Sequence, residues 1–137
     1  MKLKSFALAA ILFVAACGGP LKFMPRGTDK SPGADGKIVA EVHKDLNNVR
    51  LDVKILNLTP PERLKEGAHH FIAWQRKNAD TKWSRVATMK FDADARVASF
   101  IETTVPEIMF EFMVTVEEKT DAESPSDIIV LEQKVNM

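Results

Sequence analysis

Cysteine is all but absent from this 137-residue chain: Cys17 stands alone. A single thiol excludes an intramolecular disulfide framework and any thiolate-rich metal site. Glycine is confined, with five of the six between 18 and 36 and only Gly67 beyond. Tight primed hairpin turns therefore have to come from Asn and Asp or give way to longer loops. Tyrosine is missing and the aromatic set is 8 Phe and 2 Trp, too few for a broad sugar-stacking face. Charge of one sign is lacking as well, with 19 basic and 19 acidic residues. Setting aside Lys2 and Lys4, which fall in a leader, leaves a mature balance of −2, so the chain has no electrostatic footprint for nucleic acid. There is no nucleophile elbow, phosphate loop, HExxH pattern or Ser/His/Asp arrangement, so the chain is expected not to be an enzyme and to need no cofactor.

Long hydrophobic runs are limited to one, at residues 6–16, preceded by Met1-Lys2-Leu3-Lys4. A basic start followed by a short apolar run is the pattern of a signal peptide. As a helix, eleven residues would span about 16 Å, half of a ~30 Å hydrocarbon core, so the run is too short for a permanent anchor. It ends in Val14-Ala15-Ala16-Cys17, which resembles the bacterial lipobox, where the cysteine thiol takes a diacylglyceryl group before cleavage. Residues 1–16 are then the signal peptide and Cys17 the lipidation site, which tethers the mature protein to a membrane through palmitate-type chains. Two or more acyl chains make such anchoring stable. Gly18 in place of Asp favours the outer over the inner membrane of the cell envelope.

Residues 17–36 carry linker composition, with five glycines and three prolines, and are expected to form a flexible arm. Stretched out, nineteen such residues reach about 65 Å. Leu21, Phe23 and Met24 are its apolar exceptions, suited either to the membrane interface or to docking on the domain.

From Lys37 onward apolar residues alternate at period two, the mark of half-buried strands. The pattern predicts strands at 37–43, 48–58, 69–77, 83–91, 96–103, 107–117 and 128–135. The prolines at 60 and 61 close the second strand, and 62–66 can form a helical turn that crosses between sheets. The expected architecture of residues 37–137 is thus a single seven-stranded antiparallel β-sandwich, Ig-like. In the 107–117 strand Ile108, Phe110, Phe112, Val114 and Val116 are assigned inward; Met109, Glu111, Met113, Thr115 and Glu117 are assigned outward. Trp74 is expected to be core and Trp83 to be more exposed.

The run Asn57-Leu58-Thr59-Pro60-Pro61, with Leu64, Gly67 and Phe71-Ile72-Ala73-Trp74, resembles the extracytoplasmic C-terminal domain of anti-sigma-K factors and related small envelope lipoproteins. The later segment from Phe110 to Glu117, then Ser124-Pro125-Ser126 and Val130-Leu131, is similar to that group's ending. The likeness spans about residues 38 to 135. It implies a β-sandwich and an envelope location rather than an activity. It does not extend to a cytoplasmic sigma-binding segment or a transmembrane helix, so direct control of a sigma factor is not implied.

Two functional classes follow. The first is a non-catalytic binding or structural module that contacts another envelope component, with Trp83, Met109, Glu111 and Met113 as the candidate contact surface. The alternative is a periplasmic copper carrier using Met89, Met109 and Met113 with His43, His69 and His70, since thioethers and imidazoles are copper ligands. Adjacent strand residues face opposite ways, so His69 and His70 do not readily share one ion. The carboxylates at Asp92, Asp94, Glu117, Glu118, Asp121 and Glu123 lack calcium-loop spacing and are read as solvated turns.

Overall fold

The computed structural model describes residues 19–136. The segment expected to be a signal peptide, residues 1–16, and the expected lipidation site Cys17 lie outside the described residues. Two antiparallel sheets face each other across one apolar core. The first has the order β1-β2-β3-β7-β6 and the second β5-β4-β8-β9. The strands are β1 (Leu21–Phe23), β2 (Asp35–His43), β3 (Asn48–Leu56), β4 (His70–Arg76), β5 (Ser84–Thr88), β6 (Lys90–Asp92), β7 (Val97–Val105), β8 (Phe110–Glu117) and β9 (Ile129–Val135), with one helical turn, α1 (Pro61–Leu64), between β3 and β4. No helix of the described residues is long and apolar enough to cross a membrane.

The sandwich is the architecture the alternation predicts, but with nine strands among the described residues instead of seven. One extra strand comes from the predicted 83–91 strand, which divides at Met89. Its first part, β5, pairs with β4, and its second, β6, pairs with β7 in the other sheet. Met89 is buried at the corner and its N–H donates to the Phe71 carbonyl at 2.8 Å. Both sheets look onto the same core, so Val86, Met89 and Phe91 all pack on it, and the one-residue slip between Val86 and Met89 is too slight a break in the pattern to report the change of sheet. Phe91 on β6 meets Phe71 on β4 edge-to-face at 5.1 Å, closing that corner.

The second extra strand, β1, corrects the flexible-arm expectation for residues 17–36 over Leu21 to Gly36, while residues 17 and 18 lie outside the described residues. Leu21, Lys22 and Phe23 pair with Ala40, Val39 and Ile38. The following loop closes on itself through Gly27 N–H to the Ala34 carbonyl (2.8 Å) and lies along β9, where Thr28 N–H donates to the Val130 carbonyl (3.0 Å). Ser31 and Ala34 are buried. Leu21 and Phe23 pack on the core, whereas Met24 stays exposed. The segment satisfies backbone groups at the open edges of β2 and β9, which otherwise present unpaired donors and acceptors.

The inner faces follow the predicted pattern except at Ile108, which precedes β8 and is half-buried outside the core cluster because the strand begins only at Phe110. Ile38 and Ala40, then Val49, Leu51, Val53 and Ile55, and Phe110, Phe112, Val114 and Val116 are all buried in one cluster. Turn chemistry reflects the shortage of glycine: Asn47 takes φ 51 at the β2–β3 hairpin, and Arg96 takes φ 57 before β7. Arg96 is held there by its own side chain, whose Nε donates to the Leu58 carbonyl at 2.9 Å.

Candidate functional site

Strands β4, β8 and β9 place three side chains in a row on the outer face of the second sheet. Arg76 pairs with Glu111 across β4 and β8, and Glu111 pairs with Lys134 across β8 and β9. Alternation sends all three away from the core, since their neighbours Phe110, Phe112 and Val135 point inward. The row reads positive, negative, positive. Arg76 Nε donates to the Glu111 carboxylate, and both side chains are only about one-quarter exposed (25% and 24%). The Arg76 guanidinium also lies 4.3 Å from the centroid of the Trp83 ring. A cation so placed is held by the ring's electron-rich face as well as by the carboxylate. Trp83 thereby becomes a fixed wall at one side of an open cleft of about 480 Å³, with Glu132 and Gln133 on the β9 side. A shallower depression lined by Met109, Lys77 and Asn78 shares Glu111 and Lys134 with it.

Of the four predicted contact residues, the fold brings three to this end of the sheet: Trp83 and Glu111 line the cleft, and Met109 lines the adjoining depression. Met113 is the exception and corrects the expected outward face. It is 3% exposed, clustered with Ile72 and Trp74 beneath Trp83, Ala122 and Ile129. Thr115 and Glu117, also assigned outward, are buried too. The cover is the β8–β9 loop, residues 118–128, drawn over the sheet by Arg85, whose Nη1 donates to the Thr120 carbonyl at 2.6 Å. Beneath it runs a polar chain in which Trp74 Nε1 donates to Thr115 Oγ1 (2.8 Å), the Thr115 hydroxyl donates to Glu117, and Ser126 N–H donates to the same carboxylate (2.8 Å). Trp74 is fully buried as expected, but in this outer layer and not between the sheets.

Arg76 and Lys134 were not singled out by the sequence pattern. They become visible only once the order β4-β8-β9 and its register set them on either side of Glu111.

The metal-ligand candidates are dispersed. Met89 sits in the core between the sheets, Met113 on the opposite face of the second sheet, and Met109 on an exposed bend. His43 ends β2 in one sheet, while His69 precedes and His70 begins β4 in the other, at the far end. Among the described residues no three His, Cys, Asp or Glu side chains come together as a metal-binding group. Comparison with protein-family models, with curated protein sequences and with solved structures finds no match to this chain.

Proposed function

We propose that this chain is a lipid-tethered module of the bacterial cell envelope that binds another envelope component without catalysing a reaction, through the cleft of Arg76, Trp83, Glu111 and Lys134. The tether is Cys17 after the signal peptide, with the outer membrane as the favoured location. The resemblance to the extracytoplasmic domain of anti-sigma-K factors belongs to the same proposal, because that likeness lies in structural motifs.

One observation carries the binding reading: a fixed indole wall beside a short row of alternating charges on an otherwise covered sheet face. Trp and Arg are the residue types that most often dominate protein contacts. Charges of both signs in one row select a partner by complementary placement instead of by net attraction.

The test is affinity recovery of the intact lipoprotein after mild crosslinking in growing cells. Lys134→Glu turns the row into positive, negative, negative, and Lys90→Glu on the other sheet is the control. A partner retained by the wild type and Lys90→Glu, and reduced about tenfold or more by Lys134→Glu, corresponds to a loss of ~1.4 kcal/mol at the cleft. Recovery indifferent to Lys134, or no specific partner across growth conditions, refutes the reading.

A further inference from the structure

We infer that one particular end of the sandwich, the end carrying Leu46 and Met109, lies on the lipid bilayer; the inference rests on the reading of Cys17 as the lipid-bearing residue. Strand β1 begins at Leu21, paired with Ala40, and runs antiparallel to β2. Traced backward, the chain therefore heads toward the His43 end of β2 and the β2–β3 hairpin. The four steps from Leu21 to Cys17 reach at most about 14 Å, against the ~65 Å that an undocked arm would allow. Ala40 lies four residues before the hairpin tip at Lys44, about the same distance along a strand. An acylated Cys17 thus holds this end of the fold at the headgroup level.

The loops gathered at that end suit such a position. The β2–β3 hairpin offers Leu46, 66% exposed, and the bend before β8 offers Met109, 54% exposed. Val49 pairs with Val105, and four residues connect Val105 to Phe110, so the two tips belong to the same end of the two sheets. Leu46 and Met109 are two of the five large hydrophobics exposed among the described residues. The loops there balance Lys44, Lys77 and Lys82 against Asp45, Asp80 and Glu107. The loops themselves are neutral and the adjoining row of Arg76, Glu111 and Lys134 adds one net positive charge, so apolar contact and the acyl anchor chiefly hold this end, and salt is expected to have little effect. The β8–β9 loop, with Glu118, Asp121, Glu123 and Asp127 against Lys119, lies at the opposite end, away from anionic headgroups.

The experiment uses the intact lipoprotein reconstituted in phosphatidylethanolamine–phosphatidylglycerol vesicles. An acylated Cys17 leaves no other thiol, so Leu46→Cys, Met109→Cys and Ala93→Cys each take a single polarity-sensitive fluorophore. Ala93 is exposed in the β6–β7 turn at the far end. Brominated lipids are expected to quench the labels at 46 and 109 several-fold more than the label at 93, with little change at about 1 M salt, where charge interactions are screened beyond ~3 Å. Equal quenching at the three sites, or none at 46 and 109, overturns the inference while leaving the tether intact. Mass analysis of the N-terminal peptide from the same sample separates the two failures: a Cys17 without diacylglyceryl overturns the tether and this orientation together.

Discussion

Replacing Gly27 by alanine tests whether residues 21–36 belong to the folded domain. A Cβ built on Gly27 stands 2.0 Å from the Ser31 carbonyl oxygen and 2.8 Å from the Ala34 Cβ. The nearer atom is backbone, so no side-chain rotation relieves the clash and the 27–34 loop has to open. Opening breaks the Gly27 N–H to Ala34 carbonyl bond. It also removes the two bonds that Thr28 makes to β9, from its N–H to Val130 and from its hydroxyl to Ile129. At ~1 kcal/mol net each, with the buried Ala34 methyl adding up to ~0.8 kcal/mol, the loss is about 3 to 4 kcal/mol. A typical domain has only about 5 to 15 kcal/mol of stability. Urea denaturation of the mature protein should show the midpoint falling by about 1.5 to 2 M for a slope of ~2 kcal/mol per M. Hydrogen exchange should show the Thr28 amide protected in the wild type and unprotected in the variant. A mobile linker accepts Gly→Ala within about 0.5 kcal/mol. An unchanged midpoint, or an unprotected Thr28 amide in the wild type, refutes the docked arm.

Phe112→Ala removes a fully buried ring that tilts against Phe100 at 6.3 Å, and calorimetry should register a loss of about 3 to 5 kcal/mol; a loss under ~1 kcal/mol contradicts the core assignment. Thr115→Val keeps the shape but leaves the buried Trp74 indole N–H without its acceptor and Glu117 without one donor, so chemical denaturation should show a destabilisation of about 2 to 4 kcal/mol; a neutral result shows that the outer layer does not depend on this chain of bonds. Cys17→Ser should abolish labelling by radioactive palmitate and release the protein from membranes, and unchanged retention refutes the lipid tether.

Most of the fold is legible in the sequence because most strands bury one face only. In β2 and β3 the alternation of Ile38, Ala40 and Val49 through Ile55 gives both the element and its inward face. Strand β1 escapes because three residues, Leu21-Lys22-Phe23, are too few to establish a period, and the surrounding glycines and prolines set the average composition of a linker. Strand β6 escapes because the corner at Met89 keeps apolar residues on the core side with only a one-residue slip after Val86 while changing the sheet. The buried outer layer escapes for a third reason. Its lid, residues 118–128, has no period of its own, and Thr115 and Glu117 read as solvent-facing until Ser126 and Trp74 are seen to satisfy them. The candidate site divides the same way: Glu111 is placed by the alternation of β8 alone, whereas Arg76 and Lys134 require cross-strand register.

The lid also explains why there is a cleft at all. An antiparallel sheet commonly has one face on the core and one in water, but here Arg85 draws the β8–β9 loop across the far part of the outer face, covering the rows of Glu117, Thr115 and Met113. The cover stops one row short, at Arg76, Glu111 and Lys134, and Trp83 stands where it stops. The uncovered row lies next to Phe110, at the end of the sandwich that the Leu21 end of β1 faces. Under the proposed acylation of Cys17, that geometry would set the cleft within a few residues' length of the bilayer, and a partner in it would approach along the membrane surface and not from above the domain.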